Sequence, residues 1–230
     1  MITLVQNDPE VPAGSIGELL RIYRITSRTV RVFAGEELPA PCASSGVIVL
    51  GGSMGVRDVE RFPFLVEVMS YIRAVAALDI PFLGICLGGQ LLAAALGATV
   101  HSGSHGEKGV CPLFLLDPAF DDQLFTGLQT EPLTFQWHDD SFDLPKGATL
   151  LASSAACPNQ AFRFGRHLYG LQFHPEVDRE IVAAWSRGTT GEEASRLILE
   201  EFVRTEEIYR AFSRGLLENF LRLSGLLRCA

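Results

Sequence analysis

A cysteine set between glycines, Gly84-Ile85-Cys86-Leu87-Gly88, stands where an apolar run stops and a helix-like run begins. Ahead of it lies Ile80–Ile85, with Pro81 at its start, and behind it comes Gln90-Leu91-Leu92-Ala93-Ala94-Ala95-Leu96. The spacing predicts a strand, a sharp turn and a helix, which commits the chain to an α/β architecture. It is also the physical description of a nucleophile elbow. Small residues let the backbone turn tightly and leave the sulfur exposed, while the unpaired N–H groups and positive dipole end of the helix favour a thiolate.

The rest of the chain repeats the alternation. Met1–Val5 reads as a first strand, and Ser15-x-x-Glu18 as a capping box opening a short helix through Leu20 and Ile22. Thr29–Phe33 alternates as a strand, and the apolar strand Gly46–Leu50 ends in Gly51-Gly52-Ser53-Met54-Gly55. Phe64–Leu78 reads as a helix with Leu65, Val68, Met69, Ile72 and Val75 on one side. Strands this apolar belong in a mostly parallel sheet covered by helices on both faces, a three-layer α/β arrangement. Such sheets place ligands at the carboxyl ends of their strands, so the Gly51-Gly52 loop and Cys86 should be neighbours.

Beyond Thr99 the pieces become short: Val110–Leu116, Leu133–Trp137, Leu150–Ser153, Ala161–Phe164 and Leu168–Phe173, as in a small antiparallel edge region. After Pro175 helices return. Arg187–Gly191 reads as a loop between two of them, and Ile208, Tyr209, Phe212, Leu216, Phe220 and Leu223 form a stripe that packs on the sheet or serves an oligomer or partner surface. No linker divides the chain, so residues 1–230 read as one domain with a helical C-terminal extension over about 190–225.

Composition narrows the function. A net charge of -8, from 19 basic and 27 acidic residues without a basic block, argues against nucleic acid as partner. No segment approaches the roughly 18 apolar residues of a membrane span, and the N-terminus lacks the basic and apolar regions of a leader. Five cysteines, Cys42, Cys86, Cys111, Cys157 and Cys229, show no CxxC spacing, which fits a reducing cytoplasm better than a disulfide framework or zinc knuckle.

A cysteine nucleophile needs a base, and the base needs a partner that fixes its ring. His174-Pro175-Glu176 follows an apolar strand, and in extended geometry His174 and Glu176 point to the same side. Taken singly, a cysteine at Cys86 is more often a small core residue and a histidine at His174 more often a strand end; their joint occurrence raises the case for chemistry greatly. Gly51–Gly55 is either a plain tight loop or, with the N–H of Leu87, an oxyanion hole; no P-loop Lys-Ser/Thr follows it. His101, His105, His138 and His167 show neither HxH nor HExxH spacing, so no metal site is expected. Trp137-His138-Asp139-Asp140-Ser141-Phe142 is a polar cluster suited to a loop at the rim of a site.

Together these motifs resemble the class I (triad) glutamine amidotransferases, in particular stand-alone proteins similar to the amidotransferase domain of GMP synthase. The landmarks are Gly51-Gly52-x-x-Gly55, Gly84–Gln90, Glu107-x-Gly109, Trp137-His138-x-Asp140-Ser141-Phe142 and Tyr169–Glu176. The resemblance implies a flavodoxin-like fold with Cys86 as nucleophile, His174 as base and Glu176 as its orienting acid. It also implies Gly52 and Leu87 as oxyanion donors, and Gly51, Gln90, His138, Asp140, Ser141 and Phe142 around the substrate, with no cofactor or metal.

The sequence ends at Ala230 without the ATP-pyrophosphatase region of GMP synthase. By the resemblance, either a separate synthetase subunit receives ammonia or the protein hydrolyses glutamine directly. The helical extension would then shield the pocket or form a homodimer surface. Two other readings stand beside glutamine hydrolysis: the same triad acting on γ-glutamyl peptides or amines, and a non-enzymatic interaction subunit on this fold.

Overall fold

The computed structural model of the protein describes residues 1–228; Cys229 lies outside the described residues. The N-terminal half alternates as β1 (Ile2–Gln6), α1 (Gly14–Ile22), β2 (Ser27–Arg31), β3 (Gly46–Val49), α2 (Phe64–Ala77), β4 (Phe82–Ile85) and α3 (Leu87–Ala95). Shorter pieces follow: β5 (Val100–His101), β6 (Glu107–Pro112), β7 (Phe114–Leu115), α4 (Asp117–Phe120), β8 (Leu133–His138) and β9 (Ser141–Phe142). The chain then runs through β10 (Thr149–Ser153), β11 (Ala161–Phe164) and β12 (Leu168–Leu171) into α5 (Arg179–Thr189) and α6 (Glu192–Leu223).

The main sheet has the order β2-β1-β3-β4-β12-β11-β10-β7. From β2 to β12 every pairing is parallel, and from β12 to β7 every pairing is antiparallel. Late in sequence, β12 inserts beside β4 with Leu171 level with Ile85, so the residues after both strands emerge at one edge of the sheet. Two small antiparallel ladders, β5 with β9 and β6 with β8, stand apart from it.

Alternation along the buried strands sorts side chains into two cores. Val47, Val49 and Phe82 face α2 and α3, where Leu65, Val68, Ile72 and Leu91 meet them. Ile2, Leu4, Ile48, Leu83 and Ile85 face the other way, against Ile16 and Leu20 of α1 and Phe212, Leu216 and Phe220 of α6. A third cluster joins Phe135, Val177, Ile181, Val182, Phe202 and Tyr209, so α5 and the first half of α6 wrap the β6–β8 ladder. Among the described residues no helix is long and apolar enough to cross a membrane.

Several local expectations are corrected. Ser15 is not a cap: α1 begins at Gly14 behind Ala13 without a side-chain cap, and the Ser15 hydroxyl donates to Pro175 O at 3.3 Å. The strand expected through Phe33 ends at Arg31 because Val32–Ala34 wind into a 3₁₀ turn closed by Gly35 in the left-handed region. Arg187–Thr189 are helical; Asp178 caps α5 by accepting from the N–H groups of Glu180 and Ile181, and the break falls at Thr190-Gly191. Ile208 is exposed rather than packed, since it sits one residue, about 100° of helix, round from the buried Tyr209. The Trp137–Phe142 segment is mostly strand, with Asp139-Asp140 alone joining β8 to β9.

Candidate active site

Cys86 lies between the last residue of β4 and the first of α3, with φ 50° and ψ -109°. A non-glycine residue there is strained, and its surroundings hold it. Its N–H donates to Leu171 O at 2.8 Å, and its carbonyl accepts from Gln90 N at 2.9 Å, closing the first helical turn. Small neighbours make the turn possible. A Cβ on Gly84 would run into the Gly88 backbone, and one on Gly88 would overlap the Val49 carbonyl.

His174 and Glu176 leave β12 on the same side, as the extended spacing predicts, and His174 Nδ1 lies 2.7 Å from Glu176 Oε1. Both side chains are buried. Burial opposes a charge on the imidazole, yet the Glu176 carboxylate and then the Cys86 sulfur outweigh it and push the His174 pKa up to about 10. Nδ1 is occupied by Glu176, which leaves Nε2, buried and without another hydrogen-bond partner, for the sulfur. The thiol also points to Trp137 O at 3.9 Å and accepts from Gln172 Nε2 at 3.7 Å. A cysteine facing a proton-holding imidazole that is itself held by a carboxylate can act as a nucleophile with its own acid and base.

The glycine loop after β3 closes the other side. A Cβ on Gly51 would lie 3.2 Å from His174 Cε1 and 3.7 Å from the Cys86 Cβ, and one on Gly52 would reach Leu87 Cδ2 at 2.8 Å, so the two loops are neighbours. Leu87 is the first residue of α3, where backbone N–H groups lack helical partners. Asp8, which the sequence reading left aside, fixes this loop. Its carboxylate accepts from Ser53 N at 2.9 Å, Ser53 Oγ at 2.5 Å and Glu10 N at 2.9 Å. The signal for it was a polar Asn-Asp pair directly after the apolar β1, at the ligand end of a parallel strand.

A cavity of about 580 Å³ opens over the sulfur, lined among others by Asp8, Gly52, Cys86, Gln90, His138, Asp140 and His174. Ser141 and Phe142 are buried behind it in β9, where Phe142 packs edge-on against Phe162. The Gln90 carboxamide nitrogen is already donated to Asp140 O at 3.4 Å and Gln172 Oε1 at 3.3 Å. Trp137 and Trp185 add an aromatic wall, with the Trp185 ring 4.9 Å from that of His174. Glu107, His138 and Cys157 are ligand types grouped closely enough to share an ion, but the Glu107 carboxylate already accepts from Ser154 at 2.7 Å and Gln160 at 2.5 Å. The group includes no member of the Cys86–His174–Glu176 constellation.

Comparison with known proteins identifies the family and the fold. The family described as glutamine amidotransferase class-I matches residues 16–181. The chain is 34% identical over 164 residues to the glutamine-hydrolyzing GMP synthase of Thermosynechococcus vestitus, covering 70% of this chain and 29% of that protein. It is also 34% identical over 157 residues to the glutamine amidotransferase-like protein YfeJ of Salmonella typhimurium, covering 66% of this chain and 65% of YfeJ. The chain thus spans less than two thirds of the length of these relatives. A glutamine amidotransferase from Thermotoga maritima superposes with a TM-score of 0.86 at 33% identity, over 96% of this chain and 98% of that one. One from Methylobacillus flagellatus gives 0.84 at 27% identity, over 100% and 96%. With the profile spanning more than half its length and its fold shared almost end to end, the chain belongs to the class-I glutamine amidotransferases.

Proposed function

We propose that this protein hydrolyses the side-chain amide of glutamine to glutamate and ammonia by covalent catalysis at Cys86. The observation that carries the reading is the 2.7 Å bond between His174 and Glu176 beside a cysteine held in a strained elbow. The sulfur attacks the amide carbon, and the oxygen that becomes negative is stabilised by the N–H groups of Gly52 and Leu87. His174, with the proton at Nε2, gives it to the departing nitrogen, and ammonia leaves as the C–N bond breaks. A water then loses its proton to His174 and attacks the γ-glutamyl thioester; the C–S bond breaks, and glutamate departs. Gln90, His138 and Asp140 at the wall, with Gly51, Ser141 and Phe142 behind them, shape the glutamate end of the pocket. The ammonia serves a separate synthetase subunit; the similarity to glutamine-hydrolyzing GMP synthases supports that partner.

One observation favours a second reading, in which the same triad cleaves γ-glutamyl peptides or amines. A cavity of about 580 Å³ is the size that holds a drug-like ligand rather than one small amino acid. Mass-spectrometric product analysis against glutamine and a panel of γ-glutamyl peptides and amines separates the two, with Cys86→Ala alongside. Turnover confined to glutamine and abolished in Cys86→Ala is the expected result. Cleavage of the larger compounds alone would install the second reading, and glutamine turnover surviving in Cys86→Ala would remove Cys86 as nucleophile.

A further inference from the structure

The segment His174–Val177 carries both the base and its orienting acid, yet among the described residues its only sheet pairing is a single antiparallel bridge between His174 and Phe135 of β8, where the His174 N–H donates to Phe135 O at 2.9 Å. The segment begins after Gln172 and Phe173, beyond the end of β12 at Leu171, all four residues are buried, and Pro175 contributes no N–H. Buried carbonyls outside regular structure need partners from elsewhere in the chain. Beyond the Phe135 bridge at His174, side chains and backbone of two residues reach all four carbonyls. Tyr209 of α6 shares its hydroxyl proton between His174 O at 3.0 Å and Val177 O at 3.2 Å. Ser15 of α1 gives its hydroxyl to Pro175 O at 3.3 Å and its backbone N–H to Glu176 O at 2.9 Å.

The fit around these donors is close. Gly14 has φ 46°, and a Cβ there would overlap the Glu176 carbonyl, so the glycine lets the Ser15 N–H come within reach. Tyr209 is 1% exposed and packs between Phe202 and Val177. Burial first, and then the negative charge of Glu176, hold its phenol well above the usual range, so it remains a donor wherever the enzyme is folded.

We propose that Tyr209 and Ser15 are positioning residues of the triad. Neither touches the reacting atoms. Their bonds to the four carbonyls of His174–Val177 set the direction in which the imidazole and the Glu176 carboxylate leave the backbone, and so the alignment of Nε2 with the Cys86 sulfur. The helical region after the family's matched residues thereby reaches into the site, from a position whose partners lie 35 and 32 residues away in sequence.

The proposal rests on His174 being the base, and its test has a readout that needs no substrate. The pH dependence of Cys86 alkylation by iodoacetamide is measured for the wild type, Tyr209→Phe and Ser15→Ala, together with kcat and KM for glutamine. Tyr23→Phe is the control. It removes another α6-linked hydroxyl bond, Tyr23 to Glu218 Oε1 at 2.6 Å, away from the triad. The expected result for Tyr209→Phe is a fall in kcat of about tenfold with KM within about twofold. The alkylation inflection belonging to His174 should move to lower pH, because a loosened Glu176 supports the imidazolium less. Ser15→Ala should shift both in the same direction by less, and it stands in for Tyr209→Phe should that variant fail to fold. Tyr23→Phe should leave both unchanged while lowering stability. Wild-type kcat and alkylation profiles in both Tyr209→Phe and Ser15→Ala would overturn the proposal, as would equal changes in Tyr23→Phe. A wild type that is alkylated normally but releases no ammonia would overturn the glutamine reading and leave the alkylation comparison to decide this one.

Discussion

At His174, burial and charge pull in opposite directions, and charge wins because Glu176 is 2.7 Å away and equally dry. A pKa raised in the folded state, to about 10 from an ordinary 6.5, makes His174 stabilising through its proton. That contribution is complete below the unfolded value and disappears as pH rises through the folded one. Between pH 7 and 10.5, roughly the window between those values, the urea midpoint of the wild type should fall. Glu176→Gln takes away the largest raising influence, so the fall in that variant should be shallower, and ammonia release should drop about 100-fold or more. An equally steep fall in Glu176→Gln would show that the carboxylate does not hold the proton. Cys86, His174 and Glu176 were legible because they follow two apolar strands, Cys86 after β4 and the His174–Glu176 pair after β12. Asp8, Gln172 and Tyr209 were not, because what they do depends on partners 45, 86 and 35 residues away.

Among the elements, the helix behind the nucleophile is pressed closely against the sheet. Gly88 lets α3 settle on β3, and Gly88→Ala would drive a methyl group into the Val49 carbonyl. Overpacking of this kind costs about 1–3 kcal/mol, so the urea midpoint should drop while far-UV circular dichroism stays native. Cys86 alkylation should also slow as the elbow is displaced. An unchanged midpoint would mean that the helix stands off the strand. Apolar runs were the readable part of the elements: β11 matches its expected Ala161–Phe164, and α2 ends one residue early, at Ala77. Polar ends were less readable, since Ser15 and Asp178 are both favoured helix N-cap types, and tertiary partners decide that one serves a distant carbonyl and the other a cap. Gly188 misleads for a related reason: the Ser186 and Ser195 hydroxyls meet at 2.8 Å and tie α5 to α6 across the true break.

For the molecule as a whole, α6 is a floor beam rather than an appendage. Its 32 residues run about 48 Å, from the third cluster near the site to the core beneath the sheet. Phe212, Leu216, Leu217, Phe220 and Leu221 are buried there. At about 1.5–3 kcal/mol for each such side chain, they supply on the order of 10 kcal/mol, comparable with the net stability of a typical domain. A chain truncated after Gly191 should therefore lose its near-UV circular dichroism and bind a hydrophobic dye, although it retains all residues of the family match. A native near-UV spectrum would show that the helix is dispensable. The antiparallel edge was readable from its short strands, but the insertion of β12 beside β4, which brings His174 to Cys86, follows from long-range pairing that periodicity does not encode.

The aromatic wall has a consequence of a different kind. Trp137 and Trp185 are the chain's two tryptophans, both line the cavity, and their rings lie 6.5 Å apart. All of the indole emission of this protein originates beside Cys86. The unlabelled molecule is its own optical probe, in which a spectral change on adding a ligand reports events at one wall of one pocket.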